Sequence, residues 1–317
     1  MRHLSDHAKG LIITFTGVLV LTPDALLIRL IGVDHWTIAF WRGVLMFLGL
    51  TLAIAVVERG RPTQAFRAIG RAGLVAGAFY GVNSVLFVYA ITHTQVANVL
   101  VILAASPLFA ALMSGLFLRE FVRPITWAAI LSALLGIALV FWDGLGAGTF
   151  EGDFAALCVA FTLAGTFTIM RRAKHVSMVP ATALGGIVSA LITVALASPV
   201  AIFADPLDMF YMALLGFVVI PIAFGLITLG PRYLPAPEVG LIMLLETVLG
   251  PLWVWLVIGE APRPMAFVGG AIVIVTLALH SAIRLRQIKL ARHPGEIQVG
   301  AATVRLGQPD ADRGDEG

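Results

Sequence analysis

The stretch Glu120-Phe121-Val122-Arg123-Pro124 returns 140 positions later as Glu260-Ala261-Pro262-Arg263-Pro264, each copy closing one long apolar run and opening another. A chain written twice must build one structural unit twice and join the two copies. The register holds well beyond five residues. Ala97-Asn98-Val99 faces Pro237-Glu238-Val239, Ala138-Leu139 faces Ala278-Leu279, and no gap is needed between positions 73 and 140. Nearer the start of each copy the offset is 142, pairing Gly10 with Gly152, Ile28-Arg29 with Met170-Arg171 and Gly43 with Gly185. A two-residue difference in one loop accounts for the change.

What the unit is made of follows from composition. The chain is 59% hydrophobic and 12% charged, with a mean hydropathy of +0.97, whereas soluble domains carry roughly a quarter charged residues. Apolar runs of the ~17–25 residues needed to cross a bilayer as helix fall at 10–30, 36–57, 72–91, 96–117, 124–142, 152–170, 179–198, 208–230, 236–258 and 264–283. The runs are continuous rather than alternating, which excludes barrel strands. The expected fold is therefore an all-α integral membrane protein with ten transmembrane helices, five per copy. Its segments are an N terminus at 1–9, a first repeat at 10–142, a second at 152–283, and a tail at 284–317 that begins basic and turns Gly/Asp-rich, as disordered segments do. Residues 2–25 could be read as a signal peptide, but Asp24 and the lack of a small-x-small cleavage site argue against it.

Charge placement sets orientation. With the N terminus inside, 18 of the 21 Lys and Arg are cytoplasmic, all but Arg29, Arg42 and Arg263. Asp34, Asp143, Glu151, Asp153, Asp205 and Asp208 fall in outer loops, as the positive-inside rule requires. Both termini are then cytoplasmic. An odd number of spans per copy puts equivalent loops on opposite sides, so their charges should differ. The loop with Arg59, Arg61, Arg67 and Arg71 is answered by one with Asp205 and Asp208, and Arg119 by Gly259. The expectation is an inverted-topology repeat whose pseudo-two-fold axis lies in the membrane plane.

Two five-helix copies, with Ser106-Pro107 through Arg119-Glu120 in one and Gly250-Pro251 through Gly259-Glu260 in the other, and turns leading to Ala97 and to Pro235-Ala236-Pro237, resemble the drug/metabolite transporter superfamily, in its EamA-like branch. The resemblance covers roughly residues 10–284. It implies a secondary transporter of the bacterial cytoplasmic membrane, often an exporter of amino acids or other small metabolites, with a central cavity lined from both halves. Uptake of a vitamin or nucleoside-like compound is the second reading, motivated by Trp41, Trp253 and Trp255, whose rings suit planar or cationic solutes. The expected partners are a small-molecule substrate, protons as a coupling ion, lipid, and a second copy in a homodimer; no nucleic acid and no cofactor are expected. Lys9, Lys174 and Lys289 follow Ala, Ala and Ile, so the Gly-Lys-Ser/Thr of a nucleotide phosphate loop is absent. A gradient must then supply the energy. A membrane enzyme would need a convergent acid, base or nucleophile set, and none is visible.

Ionisable groups inside spans carry the site argument, because each costs ~2.5–3.5 kcal/mol at a helix centre on insertion scales and needs a paired or wet place. Glu246, mid-way along the ninth span with Gly250 one turn on, suits a proton or a cationic group; the alternative is a bond to a neighbouring helix. Asp24 follows Pro23 in the first span and Arg42 stands two turns inside the second. They suit a gating salt bridge, or a structural pair, or an arginine that snorkels to headgroups. Asn83, Tyr80 and Ser84 offer the third span a polar edge for binding or for gluing helices. Ser106 is the first-half equivalent of Glu246, and Trp41 is a stacking candidate. Glu120 and Glu260 sit where a carboxylate accepts the free amides of the next helix. His280 has no partners at metal-ligand spacing, and Cys158 is the only cysteine. Pro107, Pro221 and Pro251 are candidate hinges.

Overall fold

The computed structural model describes residues 6–58, 61–94, 96–141, 149–197, 205–259 and 264–292. Glu260, Arg263, Asp143, Arg59 and the tail beyond Arg292 lie outside these residues. The described residues are helical, with no strand among them.

The chain opens with α1 (Asp6–Leu21) and α2 (Asp24–Leu30), followed by α3 (His35–Val57), α4 (Pro62–Ala68) and α5 (Gly70–His93). Next come α6 (Val96–Leu103) and α7 (Ser106–Met113), the latter running into a π-helical turn at Ser114–Leu118, then α8 (Pro124–Phe141). The second copy starts with α9 (Phe150–Arg172) and α10 (Val179–Leu196). It continues through α11 (Pro206–Ala213), a π-helical stretch at Leu214–Val219, α12 (Ile220–Ile227) and α13 (Gly230–Tyr233). α14 (Ala236–Ile258) and α15 (Pro264–Arg292) close it. Among the described residues, seven stretches are long and apolar enough to cross a membrane: Asp6–Leu30, α3, α5, α9, α10, Pro206–Tyr233 and α14; Ser106–Leu118 and Pro124–Gly136 are shorter apolar helices. The residues up to His280 form one compact unit; the end of α15 from Ser281 belongs to a second, of which the described part is helix.

Local chemistry explains where the helices start and break. Asp34 caps α3, accepting from the N–H groups of Trp36 (3.0 Å) and Thr37 (3.1 Å) and from Thr37 Oγ1 (2.6 Å). Thr149 caps α9 through Gly152 N–H, and Asp205 caps α11 through Leu207 N–H, with Pro206 at the first helical position. Two of the acids that mark the expected outer side, Asp34 and Asp205, are thus helix caps. In the first span Pro23 has no N–H to give to Leu19 O, four residues back. The Thr22 hydroxyl donates to that carbonyl instead, at 2.8 Å, and α2 restarts at Asp24. A second break at Ala104-Ala105 separates α6 from α7, with Pro107 in the first turn of the new helix. α14 runs unbroken through Pro251.

Small residues bring the helices together, as expected where lipid gives no hydrophobic drive between them. α3 crosses α10 at Gly43 and Gly186. A Cβ on Gly43 would lie 2.5 Å from Gly186 O, and one on Gly186 would press on Gly43 O. The contacts also exchange between the copies. Gly10 lies against Leu234, where a Cβ would meet its Cγ at 2.9 Å, and Gly152 lies against Thr94, where a Cβ would meet its Cβ at 2.7 Å. Gly10 and Gly152, and Thr94 and Leu234, are equivalent by the sequence offsets. Larger packings pair off the same way: α5 on α9 with α12 on α1, α7 on α9 with α14 on α1, and α5 on α10 with the π stretch and α12 on α3. Arg119 and Gly259, equivalent at offset 140, both end their helices in the left-handed conformation (φ 53° and 83°).

Candidate functional site

The break at Thr22-Pro23 places Asp24 on the first turn of α2, facing the inner side of the bundle, where it is buried with Arg42 of α3. Arg42 Nη2 donates to Asp24 Oδ2 at 2.7 Å, Arg42 Nη1 donates to Ser84 Oγ at 2.7 Å, and its guanidinium carbon stands 5.7 Å from the centre of the Phe87 ring. The Asp24–Arg42 ion pair is therefore formed, Arg42 is drawn inward rather than snorkelling, and Ser84 supplies its second acceptor.

Asp24, Arg42 and Phe87 line a cavity with Tyr80 and Asn83 of α5, Val159 and Leu163 of α9, Glu246 of α14, and Leu103 at the end of α6. Counting its open side, the space between the lining atoms is about 350 Å³. Of the seven residues singled out beforehand, five line this space: Asp24, Arg42, Tyr80, Asn83 and Glu246. Trp41 and Ser106 do not. Trp41 packs edge-on to Phe40, with ring centres 5.4 Å apart, and Ser106 is buried in the first turn of α7. Trp253 and Trp255 are each 40% exposed, and Trp253 Nε1 donates to Thr22 Oγ1 at 2.8 Å, tying α14 to the break in the first span. The Asn83 amide donates to Val159 O (2.9 Å) and Thr162 Oγ1 (3.0 Å), so it joins α5 to α9 while bordering the cavity.

Buried polar atoms without partners are rare and call for an occupant or a second conformation. Three sit here among the described residues: Asp24 Oδ1, Arg42 Nε and the Tyr80 hydroxyl. The cavity thus offers an acceptor, a donor and a group that does both. With both carboxyls ionised, one cation faces two anions; a proton on Glu246 makes the set neutral. A larger hollow lies elsewhere, between α5, α9 and α10, but its walls are almost wholly apolar, whereas the central one holds the buried Asp24, Arg42 and Glu246. No group of three His, Cys, Asp or Glu suited to a metal occurs among the described residues.

Other singled-out residues hold the bundle together. Glu120 accepts from Arg171 Nε (3.0 and 3.4 Å), and Arg171 Nη1 donates to Pro231 O at 3.2 Å, so Glu120 ties the two copies together through an arginine. His280 Nε2 is 3.2 Å from Thr126 Oγ1. Sequence reasoning missed the buried pair of His7 Nε2 and Glu238 Oε2, 2.7 Å apart. Glu238 was visible as the equivalent of Asn98, but nothing in the sequence pointed to a partner 231 positions away.

Many helices long and apolar enough to cross a membrane, packed around a small charged cavity, define a multi-pass membrane protein. The EamA-like transporter family matches at residues 8–142 and again at 150–282. The chain belongs to that family and is a membrane transporter of small solutes. One solved structure, described as "Crystal structure of protein", shares the fold with a TM-score of 0.72 at 19% identity, over 88% of this chain and 98% of its own. No curated protein matches.

Proposed function

We propose that the protein is a secondary transporter that moves a small organic solute bearing a cationic group through the Asp24–Arg42–Glu246 cavity by alternating access, with export of amino acids or related metabolites as its direction and class. The observation that carries this is the central cavity itself, where three buried polar atoms lack partners and two carboxyls face one guanidinium. The exchanged contacts at Gly10/Leu234 and Gly152/Thr94 support two inverted copies. On this reading α6–α7, α8 and α15 complete ten crossings with the seven long helices, and both termini share the side carrying Lys174 and Arg232. No observation favours vitamin or nucleoside uptake, because none of the three tryptophans lines the cavity.

Counterflow of labelled amines and amino acids in proteoliposomes tests the substrate, since it assumes no direction. A cationic compound should exchange in the wild type and fail to exchange in Glu246→Gln, while neutral analogues exchange in neither. Equal exchange of a cationic compound by the wild type and the Gln variant removes Glu246 from the site. Tags at the N terminus, at 58–71 and after 290 should face one side, and tags at 143–151 and 199–207 the other. Tags at the two termini on opposite sides would overturn the ten-crossing count.

A further inference from the structure

The larger hollow lies where α9 and α10 diverge on either side of α5. Val82 and Leu86 of α5 make its floor, Phe154, Ala155 and Cys158 of α9 one wall, and Ile192 and Leu196 of α10 the other; it encloses about 980 Å³ including its open mouth. All of these flank segments long and apolar enough to be in the bilayer. Water gains nothing from such walls, and a void would forfeit their dispersion contacts, so the filling must be hydrocarbon. Val82, Phe154 and Leu196 are open to the outside at 38%, 57% and 65%, so the hollow is entered sideways, from the lipid.

The mouth is chemically different. Tyr89 and Trp36 stand there with Glu151, the only charged side chain lining the hollow among the described residues, and the Tyr89 hydroxyl donates to Glu151 Oε2 at 3.2 Å. The Tyr89 ring stacks on His93 with centres 3.9 Å apart and lies 6.4 Å from Trp36. From Glu151 to Cys158 is seven residues of helix, about 10 Å, against roughly 15 Å for the hydrocarbon of one leaflet. An apolar slot reaching two thirds through a leaflet, with aromatic faces and one carboxylate at its mouth, matches an acyl chain below an ammonium head.

We propose that this groove is a binding site for a membrane lipid whose headgroup carries an ammonium, with the head at Glu151, Tyr89 and Trp36 and one acyl chain against Val82 and Cys158. The site is separate from the central cavity and does not depend on the transport reading. Charge complementarity selects the occupant: the mouth presents a carboxylate and π faces and, among the described residues, no lysine or arginine, so an anionic head without an amine is disfavoured.

The test uses the full-length protein in detergent after delipidation, with phosphatidylethanolamine and phosphatidylglycerol of the same acyl chains. Native mass spectrometry should show phosphatidylethanolamine retained over phosphatidylglycerol by roughly threefold, the scale of one exposed ion pair. Glu151→Gln should bring that ratio close to one. Val82→Trp, at a half-open position, should reduce retention of both lipids. Because Cys158 is the sole cysteine, N-ethylmaleimide reports the groove directly: phosphatidylethanolamine should slow its alkylation in the wild type and not in Val82→Trp. Equal retention of the two lipids by the wild type, a preference unchanged in Glu151→Gln, or Cys158 alkylation indifferent to lipid would each overturn the site. The last two readouts stand even if Val82→Trp fails to fold.

Discussion

Replacing Asp24 by Asn isolates the question of whether Arg42 is held inside by a partner. The arginine is 3% exposed and has two close acceptors, Asp24 Oδ2 and Ser84 Oγ, both at 2.7 Å. Removing one partner of a buried pair leaves an uncompensated charge and costs about 3–5 kcal/mol. Asn still offers an oxygen in the same place and Glu246 lines the same cavity, so the cost should fall near the lower end, about 3 kcal/mol. For a chain of this size that is a fall in unfolding temperature on the order of 5–10 °C. Arg42→Gln should cost a similar amount, by stranding Asp24. The double variant removes both charges and should be less destabilised than the sum of the two, with a coupling of up to about 3 kcal/mol. Ser84→Ala, which strips a hydrogen bond from a charged donor, should cost about 1.5–3 kcal/mol. The assay is the loss of the monodisperse peak in size-exclusion chromatography after heating in detergent, followed by tryptophan fluorescence. An Asp24→Asn protein that survives heating as well as the wild type, or single effects that simply add, would mean the arginine is neutralised elsewhere.

Three further outcomes follow from individual residues. Partial burial pushes the Asp34 carboxyl up, but the Thr37 hydroxyl and the Thr37 and Trp36 amides outweigh it and hold the group below its ordinary value. A lowered carboxyl stabilises the fold above its unfolded value and loses that effect as pH falls through the folded value. Asp34→Ala should therefore cost about 1 kcal/mol at neutral pH, with the penalty shrinking in acid below the ordinary carboxylate range; a penalty independent of pH in thermal melts would count against the cap. Gly186→Val places a side chain against Gly43 O, a backbone atom that cannot swing aside, and should cost about 1–3 kcal/mol or more; an unchanged melt would place the α3–α10 crossing further apart. Arg119→Gly relieves a left-handed residue at an exposed helix end and should raise stability by about 1 kcal/mol, a gain that the same heating assay would detect and whose absence would contradict the strain.

Membrane character, helix class and the doubled unit were legible because each is a long-range pattern that single residues cannot blur. Continuous apolar runs mark helices in lipid by the backbone's need to satisfy itself, and a register held over dozens of positions marks duplication. Asp24, Arg42 and Glu246 were legible for a related reason: a charge inside an apolar span is costly enough to announce itself. What did not show was partnership. Nothing in the sequence says that Trp253 bonds Thr22 or that Glu238 meets His7, because those depend on how the helices are arranged around one another. Trp41 and Ser106 illustrate the reverse: residue type and position along a span suggested a role, but the direction of a side chain around its helix axis is set by packing. Asn83 fell between, bordering the cavity while its amide is committed to Val159 and Thr162.

The two copies also part company where the chemistry lies. At offset 142 Asp24 corresponds to Thr166 and Arg42 to Leu184, while at offset 140 Glu246 corresponds to Ser106. Every charge that lines the cavity thus faces, through the duplication, a neutral equivalent. The breaks are unequal too: the first span is interrupted at Thr22-Pro23 and the fourth at Ala104-Ala105, whereas α9 and α14, their counterparts, run whole. Backbone features that define helix ends are nonetheless kept, down to the left-handed residue shared by Arg119 and Gly259. The duplicated frame therefore sets where helices cross and stop, and divergence between the copies sets what the cavity binds. On the proposed reading, a solute held in this cavity would meet the Asp24–Arg42 pair from one half and Glu246 from the other, so its two ends would be recognised by different halves.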